Sequence, residues 1–180
     1  YIFPEEKLSL YAMYMGTLGN RPDLFPDSEY IAKYENAILE LEIPEEYFED
    51  ERFAAMMEEA EKYLGYPYVW GGDSPETSFD CSGFISYVFT NSGVYDTGRR
   101  GATGLYSLCR KISPAEARPG DLVFFQGTLG EGVDGNDGIT HVGMYVGDYK
   151  MIHCGNPIGY ADLNDAYWRQ HFYGYGRVPE

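Results

Sequence analysis

The stretch Thr140-His-Val-Gly-Met-Tyr-Val-Gly-Asp-Tyr-Lys-Met-Ile-His-Cys154 decides how the rest of the chain is read. Strict alternation puts His141, Gly143 and Tyr145 on one face of a strand, and Val142, Met144 and Val146 on the other. In the run that follows, Ile152 and Cys154 share one face while Met151 and His153 share the opposite one. If the two runs pair as a hairpin, matching their more apolar faces brings His141 and His153 together on the other side. That pairing requires an odd-length connection such as Gly147-Asp148-Tyr149, or a bulge. A plain two-residue turn at Gly147-Asp148 would separate the histidines, because a one-residue slip exchanges faces.

Upstream, Phe79-Asp-Cys-Ser-Gly-Phe84 opens a predicted helix over Cys81–Thr90, with Phe84, Ile85 and Val88 on the face of Cys81 and a stop at Asn91-Ser-Gly93. A thiol in the first turn of a helix meets unpaired N–H groups and the positive dipole end, which favours the thiolate. Asp80 or Ser78 is suited to cap that end, and Gly83 lets another segment approach closely. Taken alone, such a cysteine is as readily a buried structural residue as a nucleophile. Two histidines on one face shift the balance, since one can take the thiol proton while the other holds its tautomer. His171, in a Tyr/Trp-rich tail, reads as packing. Gly65-Tyr-Pro-Tyr-Val-Trp-Gly-Gly72 reads either as an aromatic turn or as a loop offering the Tyr68 hydroxyl to a developing oxyanion.

The rest of the 180-residue chain frames these motifs. Its 29 acidic and 13 basic residues leave a net charge of −16, which repels phosphate backbones and anionic lipid surfaces and excludes nucleic acid as a partner. No apolar run reaches the roughly 18 residues of a membrane span, so membrane insertion of this piece is not expected. Cys81, Cys109 and Cys154 are too few for a disulfide framework and fit no zinc spacing. The first 64 residues read as helical: a short helix at Leu8–Met15, a second from about Ser28 to Leu41, and a third carrying Phe53, Met56, Met57, Ala60 and Leu64 up to Gly65. Beyond Gly65 the predicted elements are the Cys81 helix and strands at 121–125, 140–146, 150–154 and 172–178, an α+β arrangement. The start at Tyr1 is expected to reflect a longer, exported or membrane-anchored parent.

Taken together, Tyr68-Val-Trp-Gly-Gly72, Asp80-Cys-Ser-Gly83, Gly120-Asp-Leu-Val-Phe-Phe125, His141-Val-Gly-Met-Tyr-Val-Gly147 and Met151-Ile-His153 resemble the NlpC-type cell-wall cysteine peptidases, in the family's order. The resemblance implies a papain-like α+β fold, with a central antiparallel sheet and the nucleophile at a helix N-terminus. It implies a helical extension over 1–50 and a catalytic domain over 51–180. It also implies hydrolysis of peptidoglycan stem peptides, most often between γ-D-glutamate and the diamino acid, without cofactor or metal, at the cell wall; a monomer is the default expectation. Carried over, Cys81 is the nucleophile, His141 the general base and His153 the orienting member, with Tyr68 and the Cys81 N–H at the oxyanion. Asp80 would hold the ammonium of a free N-terminal L-alanine in members that need one. Ser82, Trp70 and Thr103 complete the expected substrate-binding set. Two departures stand out. After Gly98-Arg-Arg100 the family offers a hydroxyl residue and then a glutamine, where this chain has Gly101 and Thr103. The loop between Gln126 and Ile139 lacks calcium-loop spacing and reads as a flexible rim. A weaker resemblance links the first 50 residues to wall hydrolases of conjugative elements, implying local wall opening for a transfer channel. The rival functions are an amidase or acyltransferase on the same fold, and a catalytically silent wall-binding module.

Overall fold

The computed structural model describes residues 38–128 and 138–180. Asp50 starts the first helix, α1 (Glu51–Ala60), by accepting hydrogen bonds from the Arg52 and Phe53 amides. A 3-10 turn over Glu61–Tyr63 follows, and Gly65 ends it at φ +86°. A short antiparallel pair, β1 (Asp73–Ser74) and β2 (Ser78–Phe79), leads into α2 (Cys81–Asn91). Next come α3 (Ala102–Leu108), β3 (Arg110–Ile112), β4 (Leu122–Gln126), β5 (Ile139–Gly147), β6 (Lys150–Cys154), β7 (Ile158–Asp162), α4 (Ala166–His171) and β8 (Phe172–Arg177).

Six strands form one antiparallel sheet in the order β3-β8-β4-β5-β6-β7. Alternation along each strand divides the core in two. Leu122, Phe124, Val142, Met144 and Ile152 face α1 and α2, meeting Phe53, Met57, Phe84, Ile85 and Val88. Val123, Phe125, Met151 and Tyr175 face the other way, under Tyr167 and Trp168 of α4.

The β5–β6 hairpin takes the bulged route. Met144 pairs with Ile152 and Tyr145 with Met151, then the register shifts so that Gly147 pairs with Lys150. Asp148 and Tyr149 form the two-residue turn, both left-handed at φ 48° and 57°, the backbone a tight hairpin demands. The Tyr47 hydroxyl donates to Asp148 Oδ1 at 2.9 Å and the Tyr47 ring packs on Gly147, at φ +91°, where a side chain would collide with it.

The structure departs from the sequence expectations in several places. The helix expected over Ser28–Leu41 lies partly outside the described residues. Its last four are not helical, and Ile38 instead bridges Tyr160 on β7 in an extended conformation. The Leu8–Met15 helix falls wholly outside them. The strand read at 172–178 lies inside the sheet, because β3, too short to show a period, adds to its free side. The helix α3 and the strands β1, β2 and β7 had no periodic signal long enough to be read.

The buried carboxylate of Asp121 fastens the start of β4 to β8. It takes both Nε and Nη2 of Arg177, at 2.7 and 2.8 Å, and the Arg118 amide at 2.8 Å. Removing one side of such a pair leaves the other charge uncompensated. Asp121→Ala is expected to lower stability by about 3 kcal/mol, read as a fall in the urea midpoint at constant slope.

Candidate active site

Asp80 builds the entrance to α2. Its Oδ1 accepts the Gly83 amide at 2.7 Å and the Ser82 hydroxyl at 3.1 Å; its Oδ2 accepts the Gly71 amide at 3.1 Å. The Asp80 amide donates to the Gly72 carbonyl at 2.9 Å. This lacing holds the Gly71-Gly72 backbone against the first turn of α2, so tightly that a side chain at Gly83 would run into the Gly72 carbonyl. Cys81, the first residue of the helix, is thereby fixed at the floor of an open cleft of about 550 Å³. Tyr68, Trp70, Asp80 and Ser82 lie on one part of its wall, Arg99, Arg100 and Thr103 on another, and Thr140 opens β5.

The Cys81 sulfur rests against β5, accepting from the amide of Val142, the residue after His141, and from that of Ser82. In the same hairpin His141 Nε2 meets His153 Nδ1 at 2.9 Å, with both rings buried. Gly143 makes this meeting possible. A side-chain carbon there would lie 3.2 Å from His153 Cβ and 2.7 Å from Met151 Sδ, closing the gap that the His153 ring crosses. Trp168 of α4 roofs the pair, stacked on His141 at 5.4 Å between ring centroids and edge-on to His153 at 5.1 Å. Phe125 completes the wall, 4.7 Å from the Trp168 ring. Sequence reading took this tail as packing alone. A lone tryptophan in a six-residue helix carries no pattern that ties it to two histidines far upstream.

The structure therefore places Cys81, Tyr68, Trp70, Asp80, Ser82 and Thr103 on one cleft, and His141 and His153 in the strands behind it. Tyr68 is positioned by its own amide, which donates to Asn156 Oδ1 at 3.1 Å, and by a bridge to Phe79. His171 donates from Nδ1 to the Gln126 carbonyl at 2.8 Å and packs on Tyr167. Arg99, which the sequence reading passed over, spans the cleft wall to the Asp80 carboxylate at 2.8 Å. All three cysteines carry free thiols, Cys109 and Cys154 included.

The helix-start position, which favours the thiolate, is opposed here by burial. Burial, reinforced by the Asp80 charge, pushes its thiol up to about 12, while the Val142 and Ser82 amides and Arg99 oppose this without reversing it. Desolvation of a charge outweighs a half-charge at a helix end when the sulfur is out of water. Burial, with His153 alongside, holds His141 well below the usual imidazole range, and burial alone takes His153 down to about 3. Burial thus disfavours the charged form of all three groups.

A family model described as the NlpC/P60 family matches residues 65–177. The bifunctional muramidase/DL-endopeptidase CwlT of Bacillus subtilis is 46% identical over 127 residues, 70% of this chain and 36% of that protein. The gamma-DL-glutamyl hydrolase of the same organism is 35% identical over 125 residues, 68% of this chain and 28% of its own length. The crystal structure of an NLP/P60 family protein similar to lipoprotein, from Staphylococcus aureus, superimposes with a TM-score of 0.67. It is 40% identical and covers 81% of this chain and 45% of its own. The chain spans about a third of the length of these curated relatives.

Two outcomes follow from this burial. Unfolded imidazoles take a proton near pH 6.5 and the folded pair does so only far lower, so the unfolded state binds more protons between those limits. Stability is then complete above about pH 6.5 and lost as pH falls. His153→Gln is expected to flatten that loss by about 1.4 kcal/mol per pH unit in denaturant titrations between pH 6 and 4.5. Iodoacetamide alkylation of Cys81 should climb through the alkaline range without an acid-side plateau; a plateau near pH 5 would instead indicate a preformed ion pair.

Proposed function

The chain belongs to the NlpC/P60 family, and from that premise we propose that it is a cysteine peptidase of peptidoglycan, with residues 51–180 as its catalytic unit. The observation that carries this reading is the buried His141–His153 hydrogen bond in the hairpin that also receives the Cys81 sulfur. A structural core has no use for two adjoining unprotonated imidazoles behind a helix-start thiol, whereas thiol activation requires them.

The proposed substrate is a stem peptide, cut between γ-D-glutamate and the diamino acid. The names of CwlT, a DL-endopeptidase, and of the gamma-DL-glutamyl hydrolase support that bond. Nε2 of His141 is committed to His153, so the proton from Cys81 passes to Nδ1 of His141. For Nδ1 to accept, Nε2 must carry hydrogen and donate it to His153 Nδ1, which sets the tautomer of both rings. Attack by sulfur on the γ-glutamyl carbonyl and transfer of this proton occur together, because burial disfavours both ions. The Tyr68 hydroxyl and the Cys81 amide receive the oxyanion. His141 then gives its proton to the departing amine, and a water activated by the same ring hydrolyses the thioester. Trp168 keeps water from the imidazole pair. The cell wall, outside the membrane, is the place where this chemistry has a substrate.

The test is mass spectrometry of L-Ala-γ-D-Glu-diamino-acid peptides with the parent and with Cys81→Ala. The parent is expected to release L-Ala-γ-D-Glu and the cysteine variant nothing. His141→Ala should lower kcat by about 10²–10⁴-fold, and His153→Ala by less, because His153 acts through the ring of His141. With glycan-linked muropeptides as a second substrate, release at the glycan–alanine link in place of the γ-glutamyl bond would point to an amidase. No cleavage, with an inert Cys81, would leave a wall-binding module.

A further inference from the structure

Trp168 belongs to α4, a helix of six residues that is tied down at both ends. Asp165 caps its start by accepting the Tyr167 amide at 2.8 Å. Its last residue, His171, donates from Nδ1 to the Gln126 carbonyl at the end of β4, also at 2.8 Å. Between these ties the indole packs on Phe125 at 4.7 Å between ring centroids and meets Tyr167 edge-on at 5.0 Å. A buried ring wedged among others in a close-packed interior keeps one orientation.

That orientation treats the two imidazoles differently. His141 lies nearly parallel to the indole, at 27° and 5.4 Å between centroids. His153 stands across it, at 82° and 5.1 Å. An aromatic ring is negative on its face and positive at its edge. A cation within about 6 Å of a tryptophan face is attracted to it, and more strongly where water is excluded. The imidazole parallel to the indole is the one assigned to take the thiol proton, so the charge it gains lies against the favourable side of the π system.

The charge needs such support. Burial and the neighbouring His153 both disfavour the imidazolium of His141. His153 holds the ring through the 2.9 Å hydrogen bond, but burial disfavours a charge on His153 too, and an imidazole carries no negative one. An aliphatic side chain in place of Trp168 would exclude water equally and offer a cation nothing. An indole excludes water and presents a negative face at once.

We propose that Trp168 is a positioning residue that acts through His141: beyond shielding the imidazole pair, its indole face stabilises the imidazolium formed when the Cys81 proton passes to His141 Nδ1. This rests on the peptidase reading above for the proton transfer it serves.

The test replaces Trp168 alone by tryptophan carrying one, two and four ring fluorines. Fluorine drains the negative charge from the ring face while leaving the side chain apolar and close to its own shape, so water is still excluded. Two rates are followed in each protein whose urea midpoint matches the parent: kcat on the stem peptide, and iodoacetamide alkylation of Cys81 at neutral pH, which needs the same proton transfer and no peptide. Both are expected to fall stepwise with fluorine number, by about tenfold across the series, with KM unmoved. Trp168→Leu should lower both rates by about tenfold, and Trp168→Phe, which restores a ring face, should stay within about threefold of the parent. A flat fluorine series overturns the proposal, as does a folded Trp168→Leu protein that matches Trp168→Phe, or a change confined to KM. Stem peptide left uncut while alkylation follows the series would overturn the peptidase reading and leave the role of Trp168 standing. Cleavage by the parent with both rates indifferent to fluorine would do the reverse.

Discussion

A single-residue shift in the β5–β6 hairpin governs where the chemistry of this fold lies. Without the bulge between Tyr145 and Gly147, each side chain of β6 would turn to the opposite face. His153 would then enter the helix-packed core and Ile152 would face Trp168. The bulge is enforced from outside the hairpin as well as within it. Left-handed Asp148 and Tyr149 close the turn, and Tyr47 packs on Gly147 and holds Asp148, so the chain just before α1 braces the hairpin that carries the histidines. Gly143 then leaves the opening through which the two rings meet.

At the other side of the site Asp80 plays two parts with one carboxylate. As the cap of α2 it satisfies the amide of Gly83 and fixes Cys81 in the first turn. As an acceptor for Gly71, Ser82 and Arg99 it binds the cleft wall to the same point. A substitution at Asp80 therefore disturbs the nucleophile's position and the cleft's charge together, and the two effects are separable only through Arg99 and Ser82.

Two physical effects compete at Cys81, and their magnitudes decide the resting state. The helix end and nearby amides favour a thiolate, but burial and the Asp80 charge disfavour it more. The same burial disfavours the protonated form of both histidines. A site built in this way disfavours both charged forms, the thiolate and the imidazolium. Its cost is sensitivity to acid, since unfolding lets both imidazoles take the protons they are denied in the fold.

Much of this was legible in the chain. Alternation in residues 140–154 placed the histidines on one face, because a strand's period of two leaves few other arrangements when one face must be buried. The Asp-Cys-Ser-Gly run announced a capped helix start with Cys81 in its first turn, because capping is a local property of adjacent residues. Short elements were not legible: β3, β7 and α3 are too brief to show a period and form only because the sheet and cleft wall receive them. The extended path of residues 38–41, which the sequence reads as helix, is likewise set by a partner, Tyr160, more than a hundred positions away. The roof of Trp168 over the imidazoles, the seat of Arg99 on Asp80 and the burial of the Cys81 sulfur lay beyond any local reading. Each depends on which distant groups exclude water or supply charge at a given atom, and only the packed tertiary structure decides that.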